Sequence, residues 1–241
     1  MIEVTDLTVR FGGVTPVDGM TITVPGGTCG LIGPNGAGKT TFFNVLSGFV
    51  QPLFGHVKAF GDDLLAIPDF KRARWGLRRT FQTEQAIANL SVFHNVMIVH
   101  EHTGGNRATR TADVMMAITF VGLEHEAHLQ VGTLGAAQRR LVEVARAVVG
   151  RPRLVLLDEP GAGLPDDETE RLGHVIQHIP ELTGALVILV DHDMSLVSAC
   201  CSTTAVLDFG RLIASGPTAE VLHNADVIRA YLGAEDEEID A

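Results

Sequence analysis

Eight residues constrain this chain more than any others: Gly33-Pro34-Asn35-Gly36-Ala37-Gly38-Lys39-Thr40 fits the pattern G-x-x-x-x-G-K-T. The pattern lies in the context that gives it meaning, after an apolar strand-like run at residues 29–32 and before an apolar helix-like run at residues 40–47. Glycines let successive backbone N–H groups turn inward around phosphate oxygens, and the helix start adds a favourable dipole. Lys39 is placed to neutralise the β and γ phosphates, and the Thr40 hydroxyl suits magnesium. A plain structural turn has no use for the Lys-Thr pair at a helix start. The expected ligand is therefore a nucleoside triphosphate with Mg²⁺.

A second apolar run, residues 154–157, ends in Asp158-Glu159. Parallel α/β sheets put their ligands at such strand ends, and two adjacent acids there are costly without a partner. Alone, the pair reads equally well as a solvated turn; a phosphate loop roughly 120 residues upstream decides for the site. Asp158 would then hold Mg²⁺ through its water shell. Glu159 would accept a proton from, or orient, the water that attacks the γ phosphate. The continuous apolar run 186–190 is a third strand covered on both faces, and His192 follows it directly.

The N-terminus alternates in strand fashion through Ile2, Val4, Leu7, Val9 and Phe11, breaks at Gly12-Gly13, and alternates again at Met20, Ile22 and Val24. Pro25-Gly26-Gly27 then turns the chain into the strand before the loop. From about residue 90 the spacing becomes helical, with a polar patch at 103–110 between two helical stretches. In the helix from Ala137, the residues Leu141, Val144, Ala145 and Val148 form one buried stripe, and Arg139, Arg140, Glu143 and Arg146 are expected to face elsewhere. These readings give one domain over residues 1–234, with a core at 1–85 and 150–234 and a helical lobe at about 86–149. Residues 235–241 are expected to be an acidic, solvated and disordered tail.

With 46% hydrophobic residues in 241, the chain can bury a substantial core, but no apolar run approaches the roughly 18 to 20 residues of a membrane helix. Met1-Ile2-Glu3-Val4-Thr5-Asp6 lacks the regions of a secretory signal, so a cytosolic protein is expected. A net charge of −11 argues against a nucleic-acid partner, and the basic run 71–79 is too short to reverse it. Cys29, Cys200 and Cys201 have no metal-type spacing and read as reduced thiols in the core.

Together the phosphate loop, Gln82 in Arg79-Thr80-Phe81-Gln82, residues 134–146, Asp158-Glu159-Pro160 and His192 resemble the ordered motifs of an ABC-type ATPase over nearly the whole chain. The resemblance implies an α/β fold of the P-loop type, with a parallel-sheet core, an N-terminal antiparallel β subdomain and a helical subdomain. It also implies two such domains closing head to tail around two ATP molecules. By the same resemblance, Gly33, Pro34, Asn35, Gly36, Ala37, Gly38, Lys39, Thr40 and Thr41 hold the phosphates, and Thr40, Gln82 and Asp158 hold Mg²⁺. Gln82 would also lie where the helical lobe feels a permease, and His192 would act as a switch on the γ phosphate. Phe11 would stack on adenine, and Gly135 and Gln138 would face the other subunit's nucleotide. The plain alternatives are an exposed loop residue for Gln82, a helix-capping or core histidine for His192 and a core aromatic for Phe11.

A finer resemblance is to the ATPases of branched-chain amino acid importers. It is carried by residues 42–49, by Arg79-Thr80-Phe81-Gln82, by Asp191-His192-Asp193-Met194 and by Val227-Ile228-Arg229-Ala230-Tyr231-Leu232-Gly233. That subfamily combines two different ATPase subunits, two integral membrane permeases and an extracytoplasmic solute-binding protein, and its members also handle urea, amides or aromatic acids. The implied location is the inner face of the cell membrane, held there through the permease. A soluble ABC ATPase unconnected with transport, or a nucleotide-binding subunit with little hydrolysis, are the competing classes.

Two places depart from the family pattern. The signature Leu-Ser-Gly-Gly-Gln stands here as Leu134-Gly135-Ala136-Ala137-Gln138, without the serine hydroxyl, and the alanines would be strained wherever positive φ is needed. Pro165 stands where the family usually has Asp or Asn. An intact phosphate loop beside a degraded signature leads to the expectation of a heterodimer, although a homodimer remains open. In that heterodimer another ATPase subunit would complete the site of Lys39 and Glu159.

Overall fold

The structure, a computed structural model, describes residues 1–230. The acidic run and Tyr231-Leu232-Gly233 lie outside the described residues. In chain order the elements begin β1 (Ile2–Phe11), β2 (Val14–Val24), β3 (Thr28–Ile32), α1 (Lys39–Ser47), β4 (Phe54–Ala59), β5 (Asp62–Asp63), α2 (Asp69–Trp75) and β6 (Leu77–Arg79). There follow the helices α3 (Val92–His102), α4 (Arg110–Phe120) and α5 (Ala136–Val148), then β7 (Leu154–Asp158) and α6 (Asp166–Thr183). Next come β8 (Leu186–Val190), α7 (Met194–Cys200), β9 (Thr203–Asp208), β10 (Arg211–Pro217) and α8 (Thr218–Val221), and residues 225–230 are again helical. The described residues group into two compact units, Met1–Phe70 with the stretch from Ile188 onward, and Lys71–Val187.

In the first unit, β1 pairs antiparallel with both β2 and β4, giving a sheet in the order β2-β1-β4-β5. Ile2 and Val4 are buried, then Leu7 and Val9; the phase slips at Asp6, whose φ of 49° marks the irregularity between Val4 and Leu7. The Asp6 N–H donates to the Thr21 Oγ1 across the strands at 3.0 Å, so the slip leaves no orphaned donor. Strand β3 is buried along its whole length and pairs parallel with β9, which continues antiparallel into β10. Helix α1 buries Phe42, Phe43, Val45 and Leu46, and its end is closed by Gly48 at φ 86°. Cys29, Cys200 and Cys201 are free and buried, and burial pushes the Cys29 thiol up.

In the second unit β6 and β7 pair in parallel, with Arg79 beside Leu156. The two helices flanking the polar patch are α3 and α4, which bury Val92, Val96, Val114 and Ile118. Ser91 caps α3 by accepting from the His94 N–H. Within this unit the basic run is divided: Lys71 and Arg74 are exposed, whereas Arg72 and Arg78 are buried. Arg72 is 1% exposed, and Arg78 donates to the carbonyls of Ala73 and Leu77 while burial lowers its guanidinium to about 10. Among the described residues no helix is long and apolar enough to cross a membrane.

Helix α5 corrects one expectation. Glu143 does not face outward: it is 6% exposed and accepts from the Gln85 N–H at 2.8 Å and from Arg146 Nη1 at 3.0 Å. The cause is burial of α5 on more than one face, since Val142, Glu143, Val144 and Ala145 are all buried. A charge in that stretch must be paired inside the protein.

Candidate functional site

The loop 33–38 enters α1 through two positions, Gly33 and Gly38, where only glycine fits. Gly33 stands at φ +148° and a Cβ there would lie 2.1 Å from the Leu207 carbonyl oxygen; Gly38 stands at φ +104° and its Cβ would lie 1.9 Å from that of Pro16. The loop is closed by the Ala37 N–H donating to the Pro34 carbonyl and braced from behind by the turn after β9. There the Gly210 N–H donates to the Ala37 carbonyl at 3.1 Å, and the Gly210 carbonyl accepts from the Asp18 N–H at 2.9 Å. Arg211 reaches Asp18 Oδ2 with Nε at 2.9 Å and Nη2 at 2.7 Å, tying β10 to β2 beside the same turn.

No side chain caps the start of α1, which leaves its first N–H groups for another acceptor such as a ligand. Lys39 is buried, and its ammonium donates to the carbonyls of Gly33 at 2.6 Å and Pro34 at 2.8 Å. Asn35, Gly36 and Thr40 are exposed and Thr41 is half-buried. This donor set, a lysine ammonium over an uncapped helix start, suits a polyphosphate. The first unit also carries Phe11, 53% exposed at the end of β1, and exposed His192 just before α7. Asp193 caps α7, accepting from the N–H groups of Ser195 at 2.8 Å and Leu196 at 3.2 Å. The Ser195 hydroxyl hydrogen bond, aided by these backbone donors, holds the Asp193 carboxyl below its ordinary range.

The second unit carries the remaining candidates. Asp158 is buried at the end of β7; its N–H donates to Thr80 Oγ1 at 3.1 Å and its Oδ2 accepts from Arg79 Nη2 at 2.7 Å. Its Oδ1 is buried with no hydrogen-bond partner among the described residues. Buried carboxylate oxygens are rarely left so, and an oxygen of this kind fits a magnesium-bound water. Glu159 follows half-buried at φ 48°, a conformation that non-glycine residues adopt at a cost and that recurs at functional sites.

Gln82 is exposed, but its backbone is held: its carbonyl accepts from Arg140 Nη1 at 3.2 Å. Glu84 pairs with Arg139 at 2.8 Å, and Glu143 takes the Gln85 N–H. The first turns of α5 thus grip the segment after Gln82 residue by residue. Asn95 fixes its far end, bonding to the N–H and carbonyl of Ile87 and to the carbonyls of Leu90 and Ser91.

At the start of α5, Gly135 has φ −67° and the Gln138 side chain reaches back to accept from its N–H at 3.1 Å. Neither alanine at 136 or 137 has positive φ, since both lie in the helix, so the strain conditionally expected there does not arise. Pro165 is the N-cap of α6, followed by Asp166, Asp167 and Glu168 in the first turn. Sequence reasoning did not single out Arg79, Thr80 or the Gly210 turn as site residues. Arg79 and Thr80 were visible in Arg79-Thr80-Phe81-Gln82, but the bonds to Asp158 leave no local pattern.

Against known proteins, the family model described as ABC transporter matches residues 17–162, and that described as branched-chain amino acid ATP-binding cassette transporter matches residues 211–237. The chain is 36% identical to BraF of Pseudomonas aeruginosa, a high-affinity branched-chain amino acid transport ATP-binding protein, covering 97% of this chain and 98% of that protein. It is 33% identical to LivG of Escherichia coli, which bears the same description, over the same shares. It is also 33% identical to LptB of Escherichia coli, a lipopolysaccharide export system ATP-binding protein, over 95% of each chain. Among solved structures, an ATP-binding cassette of an ABC transporter in its ADP conformation matches with a TM-score of 0.85 and 26% identity, covering 97% of this chain and 98% of the other.

Proposed function

Because this chain belongs to the ABC transporter ATP-binding family, we propose that it is the ATP-hydrolysing subunit energising an importer of a branched-chain amino acid or a related small polar or organic-acid solute. The observation that carries the import reading is the match of residues 211–237 to the branched-chain amino acid model, since near-full-length identity alone extends to an export ATPase at 33%.

The roles follow from what each side chain offers. Gly33, Pro34, Asn35, Gly36, Ala37 and Gly38 shape the phosphate cradle, and Lys39 with the N–H groups at Thr40 and Thr41 meets the phosphates. The exposed ring of Phe11 suits stacking on adenine. Thr40, Gln82 and Asp158 would hold magnesium; the unpartnered Oδ1 of Asp158 supports giving it that role. When bound, magnesium neutralises phosphate oxygens as negative charge redistributes. Glu159 orients the attacking water or takes its proton, and His192 hydrogen-bonds the γ phosphate. Gly135 and Gln138 belong to the second nucleotide of a head-to-tail dimer, in which we place a different ATPase subunit opposite this chain.

The permease supplies the membrane spans and holds this subunit at the cytoplasmic face, and the solute-binding protein acts on it only through the permease. The test is labelled-ATP retention by the purified chain in magnesium buffer, followed by solute uptake in vesicles containing the permease pair. Retention that is lost in Lys39→Ala, and uptake that requires this subunit, are expected. Equal retention by Lys39→Ala removes the ATPase assignment, and ATP-dependent extrusion in place of uptake removes the importer.

A further inference from the structure

We propose that Arg79 is a positioning residue for the magnesium site: it holds Asp158 by one carboxylate oxygen, leaves the other for the metal's water shell, and with the same guanidinium steadies the ring of Phe81 next to Gln82. The inference rests on the assignment of Asp158 and Gln82 to magnesium.

Arg79 ends β6 and Asp158 ends β7, with Arg79 paired to Leu156, so the arginine reaches diagonally along the neighbouring strand. The Nη2 to Oδ2 distance is 2.7 Å and the two side chains are 5% and 2% exposed. A buried ion pair is weak evidence for stability, because desolvation of both charges offsets much of their attraction. A pair serving stability alone would also have its remaining oxygen bonded, yet Oδ1 has no partner among the described residues. Thr80, the residue after β6, takes the Asp158 N–H, so the backbone and one carboxylate oxygen are fixed by two adjacent residues at the strand's end. The carboxylate is thereby oriented, with Oδ1 as its open coordination position.

The guanidinium also lies 4.9 Å from the centroid of the Phe81 ring. A planar cation can pair with a carboxylate and stack on an aromatic face, which a compact ammonium does poorly. One side chain therefore touches both the metal carboxylate and the residue preceding Gln82. Outer-sphere partners of this kind typically change metal affinity by about 10- to 100-fold when removed.

The test uses the full chain as Arg79→Met, Arg79→Lys and Asp158→Asn, with manganese(II) binding in the presence of ATP read by electron paramagnetic resonance. Retention of labelled ATP in EDTA is measured in parallel. The expected result is a rise in half-saturating manganese of about tenfold or more in Arg79→Met, a smaller rise in Arg79→Lys, and metal-free ATP retention unchanged in both. Wild-type manganese affinity in Arg79→Met, with Asp158→Asn weakened, overturns the role of Arg79 and leaves the magnesium assignment standing. Wild-type affinity in Asp158→Asn overturns both. If Arg79→Met also loses metal-free ATP retention, Arg79→Lys decides: weaker manganese binding with intact retention supports the role, and affinity equal to the wild type overturns it.

Discussion

At Gly38 a single hydrogen separates a working loop from a collision, because the missing Cβ would sit 1.9 Å from the Pro16 carbonyl oxygen at a φ of +104°. Gly38→Ala must shift the loop or β2, at a cost of about 1 to 3 kcal/mol. A lower melting temperature together with loss of labelled-ATP retention is expected; full retention would separate the cradle from nucleotide binding. Glu159→Gln acts differently: it keeps the size of the side chain and its strained φ of 48° but removes the carboxylate. Phosphate release should fall by about 10²- to 10⁴-fold while ATP stays bound, and unchanged release in a single-turnover assay would assign the water to another group. The glycine loop and the Asp158-Glu159 pair could be picked out as candidates from the sequence because each is a contiguous pattern beside an apolar strand. Arg79 was not legible as the partner of Asp158, because the two lie 79 residues apart and are joined only by the register of β6 on β7.

Helices are where charge misled. The stripe Leu141, Val144, Ala145 and Val148 was legible as core, yet Glu143, expected to face elsewhere because it falls off that stripe, is buried as well. Replacing it shows what it holds. Glu143→Leu leaves the Gln85 N–H and Arg146 without their shared acceptor and should cost about 1 to 3 kcal/mol in chemical denaturation. Glu143→Gln, which keeps an acceptor for Gln85, should recover part of that loss. Equal stability of wild type and the leucine variant would remove Glu143 as the tie between α5 and the segment after Gln82.

Helix α7 depends on its cap. Asp193→Ala is expected to cost about 1 kcal/mol, since it strips the acceptor from Ser195 and Leu196. The folded carboxyl sits below its unfolded value, so its contribution is present above the unfolded pKa of about 3.9 and is lost as pH falls through the folded one. The difference in stability between wild type and Asp193→Ala should therefore be full at neutral pH and shrink below about pH 4. A difference independent of pH from neutrality to pH 2 would place the loss in packing rather than in the cap.

For the molecule as a working unit, the decisive asymmetry is an intact cradle in a chain whose signature lacks its serine. The backbone at Gly135 is extended, at φ −67° and ψ 165°, so a serine fits there without strain. Its hydroxyl would supply the hydrogen bond to a charged phosphate that the present chain lacks, worth about 1.5 to 3 kcal/mol. In a dimer of this chain alone, both composite sites carry the degraded signature, and Gly135→Ser should raise turnover by about ten- to a hundred-fold. In a dimer with a second ATPase whose signature is intact, the cradle of Lys39 and Glu159 is already completed, and the same substitution should change turnover far less. Comparing ATPase rates of wild type and Gly135→Ser, each alone and each with the second subunit, separates the cases. Wild-type turnover alone that equals the mixed pair rejects the heterodimer, because the missing hydroxyl then limits nothing.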